Sequence, residues 1–441
     1  MNNSVRSITD KIMLNIMTRN PLIWNIGKLV LGAGLGQIIT LIAAPLIARQ
    51  FGPLSFGQQA TVLSVAGPMV TLTSMAFPIA IVIARTDEEA HALSQLALMG
   101  SLIFAPFLTA LLVINDMWAL KQLGLESISQ YALLVPVIAV LTTINMSAGY
   151  LMTRSGSFNL SACATVGASL IGNVTKLVLG GFWPNTLSLL IGNAVGYLIA
   201  PLLALRLRVH RSRKIAYEAP DQLWTIARSH WDFAFLRAPQ NFLVAISQSI
   251  PIIGLTACFG PEAAGYYALA TALATAPVSL IGNAVQAVLY PRLNEISLAG
   301  GDTTKLLIKS TVCLLVAGSP FLAVTAMLGP WLFATVMGPE WQEAGVYSAF
   351  LSLWLWLGLA NRPAVSAIPI LGIQGGLLLY EVIGTIAKLG AVIAGYGVFG
   401  SARWTVGIFS ITGAVAYALL IVWVIRKSAK VRRRNQNDKA G

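Results

Sequence analysis

The sequence predicts an all-α integral membrane protein with twelve transmembrane helices in two six-helix bundles. Hydrophobic residues make up 56% of the chain and charged residues only 10%, whereas a soluble domain has roughly 25% charged residues. Apolar runs long enough to cross a bilayer, about 20 residues each, recur along almost the whole chain. Lys and Arg fall almost entirely into every second gap between these runs, which is typical of a chain with a fixed loop orientation.

Each run is predicted to be a helix, because an open strand edge cannot satisfy its backbone groups in lipid. Barrel strands would instead show segments of about ten alternating residues with a polar face. In chain order, the predicted spans are 29–48, 57–84, 94–114, 131–151, 160–179, 187–205, 233–258, 265–290, 306–328, 344–361, 374–396 and 404–425.

The distribution of positive charge predicts that both termini are cytoplasmic. Of the 29 Lys and Arg residues, four lie within spans, and a cytoplasmic N-terminus places only three outside and 22 inside. This matches the bias of Lys and Arg toward the cytoplasmic side. Anionic lipid headgroups explain such a basic inner face, so the net charge of +13 does not indicate nucleic acid. The residues within spans are Lys176, Arg237 and Lys388, with Lys309 near the inner end of span 306–328, and those outside are Arg49, Lys121 and Arg403.

A repeated motif indicates that the two halves are duplicates. Phe-Gly-Pro at 51–53, followed by Gly57, recurs at 259–261, followed by Gly265, at an offset of 208 residues. Both copies lie in the outer turn after the first span of a six-span half, so the halves share one orientation and enclose the substrate site between them. The predicted divisions are an amphipathic N-terminal segment 1–28, bundles 29–205 and 233–425, a basic linker 206–232 and a basic tail 426–441.

Span 7 carries the most informative polar pattern. Arg237, Asn241 and Gln248 lie at i, i+4 and i+11, within about 40° on one helix face. Charges inside a membrane normally face a cavity or a partner. We expect this stripe to line a cavity wall, with interhelical hydrogen bonding as the alternative. The opposite wall is expected at Asn283 and Gln286, which share a face of span 8.

Two other spans carry charged residues. Glu381 and Lys388 lie on one face of span 11, with Thr385 between them. They could form a structural ion pair or take part in coupling to substrate or ion. Lys176 in span 5 could line the cavity or extend its ammonium to the interface. Few basic groups and still fewer acids favour an anionic substrate, and Arg in particular matches phosphate oxygens with two parallel hydrogen bonds.

The sequence resembles Wzx-type polysaccharide flippases, which share a superfamily with MATE exporters and lipid II flippases. The resemblance is carried by the motif at 48–57, the IARTDEEA segment at 83–90, and the second motif copy with the residues after it. Those later segments are 259–270, 277–284 and 290–293.

The resemblance implies a V-shaped cavity and alternating access, carrying undecaprenyl-diphosphate-linked oligosaccharide across the bacterial inner membrane. It implies cavity arginines that hold the diphosphate. Arg237 best suits that role, and Arg49 and Arg154 near the cavity mouths are weaker candidates. It also implies coupling to a Na⁺ or H⁺ gradient, for which Glu381, Lys388 and Asp232 are the candidates. Polysaccharide polymerases and glycosyltransferases are the protein partners to be expected.

Two other function classes are alternatives for such a membrane protein. A cation-coupled drug exporter of the same fold would need cavity carboxylates, and only Glu381 and the boundary residue Asp232 are available. A membrane glycosyltransferase or polymerase would need catalytic acids or bases, usually on a long outer loop, and the predicted outer loops are short. We therefore expect no catalytic residues, no metal site and no cofactor.

Overall fold

The computed structural model describes residues 21–113, 121–122, 124–210, 220–299 and 301–437. Within these ranges the regular structure is entirely helical, as predicted. Most of the predicted N-terminal segment, the middle of the linker and the end of the tail lie outside the described residues. The longer helices are α1 Pro21–Thr73, α2 Phe77–Ala80, α3 Asp87–Val113, α4 Leu134–Arg154, α5 Phe158–Phe182, α6 Thr186–His210, α7 Pro220–Ser229, α8 Ala238–Phe259, α9 Pro261–Leu298, α10 Thr303–Met337, α11 Gln342–Ala360, α12 Arg362–Ile370, α13 Gln374–Phe399 and α14 Ala402–Asn437.

Eleven helical segments in the described chain are long and apolar enough to cross a membrane, so the chain is a multi-pass membrane protein. The first, Gly27–Thr73, has 47 residues, about 70 Å of helix, which is more than twice the hydrocarbon thickness. It is interrupted at Gly52, whose backbone is non-helical with φ 64° and ψ 168°. The prediction of twelve spans depends on this break, which separates predicted spans 29–48 and 57–84.

The helices extend beyond most of the predicted spans, and at two spans the backbone changes direction. Within span 57–84 the continuous helix ends at Thr73. Met75 and Ala76 then adopt left-handed φ values of 52° and 55° before α2 begins. Span 344–361 continues beyond a turn at Asn361 into α12. Hydropathy identifies the apolar run in each case but does not register a local change of backbone direction.

The two copies of the repeated motif contact each other at the predicted outer end. A Cβ on Gly57 would overlap the carbonyl oxygen of Pro261, and a Cβ on Gly265 would overlap that of Pro53. The contact is therefore reciprocal, as expected if the halves are related by an axis along the membrane normal. Only glycine lets the backbones of α1 and α9 come this close.

Two flanking contacts repeat the same symmetry. The outer loop of the second half contributes Trp341, whose buried indole Nε1 donates to the carbonyl of Ala48 at 3.0 Å. The outer loop of the first half contributes Gly124, where a Cβ would lie 2.8 Å from the carbonyl oxygen of Ala257. Each outer loop thus covers the end of the first span of the opposite half.

Hydrogen bonds also join the two halves at this end of the molecule. Arg49 donates from Nε to the carbonyl of Val336 and from Nη2 to that of Thr335, both at 3.1 Å. The buried hydroxyls of Thr61 in α1 and Thr256 in α8 are 2.7 Å apart. We refer to the contacts of Gly57, Gly265, Trp341, Gly124, Arg49, Thr61 and Thr256 as the outer seal. The words outer and inner follow the orientation predicted from the distribution of Lys and Arg.

Below the outer seal, α9 loses much of its cover. Its outer half contains Ala270 and Ala276, which are fully buried. In its inner half, Ile281 is 48% exposed, Val288 75% and Tyr290 45%. The halves are therefore joined at the outer end, and α9 is more open toward the inner end.

Replacing Gly57 by Ala should weaken the outer seal, because the added methyl group overlaps the Pro261 carbonyl. Overpacking of this kind costs about 1–3 kcal/mol. We expect a lower apparent Tm of the detergent-solubilised protein. Gly67→Ala is the matched control, since a Cβ there meets no atom within 4 Å. If the two variants had the same apparent Tm, the close approach of Gly57 to the Pro261 carbonyl would not be needed for stability.

Replacing Arg49 by Gln should favour opening at the outer end, because it weakens two hydrogen bonds that join the halves. A loss of about 1 kcal/mol corresponds to roughly a fivefold change in population. The measurement is labelling of Thr256→Cys by a membrane-impermeant maleimide in a background lacking the three native cysteines. Arg403→Gln is the control, because Arg403 pairs with Glu343 within one half. Labelling that responds equally to both substitutions would contradict a role of Arg49 in closure.

Candidate functional site

The polar stripe of span 7 begins on an unusual turn. Residues Phe233–Arg237 form a π-helical turn that leads directly into α8, and such turns frequently occur at functional sites. Arg237 is exposed, with its guanidinium carbon 5.8 Å from the centroid of the Phe233 ring. Within the part of the chain that the structure describes, Arg237 has no carboxylate at ion-pair distance. Its charge is therefore available to an external anion.

The stripe extends along α8 from the inner edge toward the outer seal. Arg237 precedes Thr256 by 19 residues, about 28 Å of helix. Asn241 is half-buried and Gln248 is exposed. On the neighbouring α9, Asn283 is exposed and Gln286 is half-buried, both within the less covered inner half. These positions offer hydrogen-bonding groups at several depths below the outer seal.

The charged pair of span 11 connects to the same helix. Lys388 donates from Nζ to the buried hydroxyl of Ser247 in α8 at 2.7 Å. Thr385 donates to the backbone carbonyl of Glu381 rather than linking the two charged groups. Glu381 and Lys388 lie seven residues apart on α13, about 10 Å of helix. A change of charge at Glu381 would therefore alter the field at a lysine that holds α8.

The other two candidate arginines bind backbone carbonyls. Arg49 belongs to the outer seal, where it caps the end of α10. Arg154 donates from Nη1 to the carbonyl of Ala84 at 2.5 Å and lies 3.4 Å from Asp87. It thus stabilises the turn between α2 and α3. Both side chains have structural partners in this conformation.

Lys176 and Asp232 lie at different depths. The aliphatic stem of Lys176 packs where Gly192 of α6 has no side chain, and the lysine is half-buried between α5 and α6. Asp232 is half-buried immediately before the π-helical turn. Beside it, His230 Nε2 and Glu89 Oε1 form a hydrogen bond of 2.8 Å that ties the linker to the first half.

One arginine in the second half is not among the residues that the sequence predicts for the site. Arg362 directly follows predicted span 344–361, which places it in an inner loop, but the helical path continues through α12. Its guanidinium packs against Gly282 of α9. The signal available in the sequence was the Asn-Arg-Pro segment 361–363 ending an apolar run, which is as typical of a loop as of a break within a span.

The π-helical turn, α8 and α9 together carry exposed or half-buried basic and amide side chains, which are groups that suit an anionic ligand. Over the described ranges, no group of three or more His, Cys, Asp or Glu residues could hold a metal ion.

Comparisons with known proteins identify the fold. Over 90% of this chain and 96% of the other, the structure matches a multidrug MATE transporter in an inward-facing conformation, with a TM-score of 0.71 and 14% identity. The lipid II flippase MurJ in an inward closed conformation matches with a TM-score of 0.67 and 14% identity, over 92% and 90% of the two chains. An outward-facing MATE transporter gives a lower TM-score of 0.55, at 15% identity over 92% and 96%. The outer seal is closed in this protein, which agrees with the higher TM-score of the inward-facing structure.

The sequence comparison gives the family. No curated protein matches the sequence. Residues 46–346 match a family described as polysaccharide biosynthesis protein. The family match confirms the resemblance to proteins of polysaccharide biosynthesis, and the fold is like that of the MATE and MurJ structures. Because the match covers more than half of the 441 residues, the chain belongs to this family of polysaccharide biosynthesis proteins.

Proposed function

We propose that the protein flips undecaprenyl-diphosphate-linked oligosaccharide from the inner to the outer leaflet of the bacterial inner membrane. Family and fold are those of flippases and transporters rather than of catalysts. The observation that carries the proposal is the outer seal above a less covered inner region. That geometry suits an alternating-access protein in the state that loads from the cytoplasmic side.

The position of Arg237 supports a diphosphate headgroup. The π-helical turn places it at the inner end of α8, where headgroups of the inner leaflet lie, and exposed Trp231 and Phe235 flank it. Aromatic side chains of this kind prefer the membrane interface. A lipid-linked diphosphate could meet the guanidinium fork there while its polyprenyl chain stays in lipid.

The charge distribution argues against the exporter reading. Glu381 is the only acid inside a predicted span, and its field acts on Lys388. An organic cation would meet Arg237 on α8 and an ammonium held against Ser247. Unpaired carboxylates would be needed to offset those charges.

The direct test is transport by the purified protein in vesicles containing undecaprenyl-diphosphate-linked saccharide. We expect movement between leaflets, and Arg237→Ala should slow it at least tenfold, because a charged hydrogen bond contributes about 1.5–3 kcal/mol. Arg228→Ala is the control, an exposed arginine on the adjoining linker helix. Pumping of organic cations without saccharide movement would refute the proposed function. Full activity of Arg237→Ala, with loss in Lys176→Ala, would move the diphosphate site into the first half.

We further propose that ion binding at Glu381 drives the conformational cycle through Lys388 and Ser247. Glu381→Gln should bind the lipid-linked saccharide normally yet turn over more slowly, and its rate should no longer respond to an imposed Na⁺ or H⁺ gradient. Glu340→Gln, on the exposed outer surface, is the control. A gradient response equal to that of the unsubstituted protein would remove Glu381 from the coupling mechanism.

A further inference from the structure

Arg362 begins α12 directly after the turn at Asn361, and an apolar cluster of the second half flanks it. That cluster includes Ala360 of α11, Ala364 of α12 and Leu420 of α14. A charged side chain beside such a cluster is costly unless it meets a partner or water.

Arg362 and Arg237 lie at similar chain distances from the outer ends of their helices. Arg362 lies 20 residues from Gln342 at the outer end of α11, about 30 Å of helix. Arg237 lies 22 residues from Phe259 at the outer end of α8, about 33 Å. Both arginines are therefore far along the chain from the outer seal.

Gly282 makes room for this side chain in the α9 wall. A Cβ on Gly282 would lie 2.7 Å from Nε and 3.1 Å from Cζ of Arg362. The next residue along α9 is Asn283, which is exposed, and Gln286 follows one turn later. The guanidinium thus lies against the same stretch of helix that carries both predicted amides of the opposite cavity wall.

The charge of Arg362 is not neutralised. No carboxylate in the described chain is within ion-pair distance of Arg362. Beside Arg362, the amide oxygen of Asn361 is buried without a hydrogen-bond partner among the described residues.

We propose that Arg362 is a second phosphate-binding residue, which contacts the diphosphate of the lipid-linked substrate from within the second half. The excess positive charge provides the attraction, Gly282 provides the opening, and Asn361 can accept a hydroxyl group of the ligand. Arg237, in the π-helical turn before α8, and Arg362, in α12, would then each bind one phosphate. This inference rests on the proposed function and adds a residue to it.

The test compares binding of undecaprenyl diphosphate and of undecaprenol to the purified protein in nanodiscs. Arg362→Gln should weaken binding of the diphosphate lipid roughly tenfold or more, with undecaprenol binding unchanged. Arg362→Lys should keep part of the affinity, because it retains the charge without the fork. Gly282→Ala should also weaken binding, because it displaces the guanidinium without removing it. Arg292→Gln, at an exposed position further along α9, should bind both lipids normally.

The outcomes separate this inference from the proposed function. If the unsubstituted protein binds the diphosphate lipid no better than undecaprenol, the proposed function fails. If it prefers the diphosphate lipid and both Arg362→Gln and Gly282→Ala retain that preference, only the role of Arg362 is overturned. Equal loss of both lipids together with a lower Tm would also overturn it, since that is the result of a purely structural arginine.

Discussion

The close approach of two backbones at Gly57 and Gly265 is the constraint on which the rest of the structure depends. Each glycine lies against the carbonyl of a proline that begins a helix of the opposite half. Side chains larger than hydrogen would separate α1 from α9, and the buried Trp341 indole and the Thr61–Thr256 hydroxyl pair would then lose their partners. The region below the seal has a closed outer end because these contacts exist.

The charges of the second half follow a different rule, since they are only partly compensated. Lys388 has a hydroxyl partner, Glu381 interacts with it through space, and Arg237 has an aromatic face. A stable bundle without a ligand would be expected to neutralise such groups more completely, because an unpaired charge in the membrane is costly. The excess of positive charge is therefore what the proposed anionic substrate would require.

The apolar runs, the duplicated motif and the family could be predicted from the sequence, because they depend on run length, motif and charge distribution. Neither the contact between the two motif copies nor the partner of each charge could be predicted. Arg49 and Arg154 bind carbonyls contributed by distant segments, and a single sequence does not indicate which backbone comes near a side chain. Hydropathy places Arg362 in a loop because it detects the end of an apolar run, and the helical path continues past it.

The helix α8 joins these features, since it is held by both halves. In the π-helical turn at its inner end, Phe233 is buried in a cluster with Phe77 and Leu93 of the first half. At its middle, Ser247 is bound by Lys388 of the second half, and at its outer end Thr256 meets the first half again. Relative motion of the halves must therefore bend α8 or break one of these contacts. The π-helical turn and the proline at position 251 are the places where its hydrogen-bond ladder is already interrupted. Arg237 lies on that turn, so bending there would move the guanidinium together with whatever anion it holds.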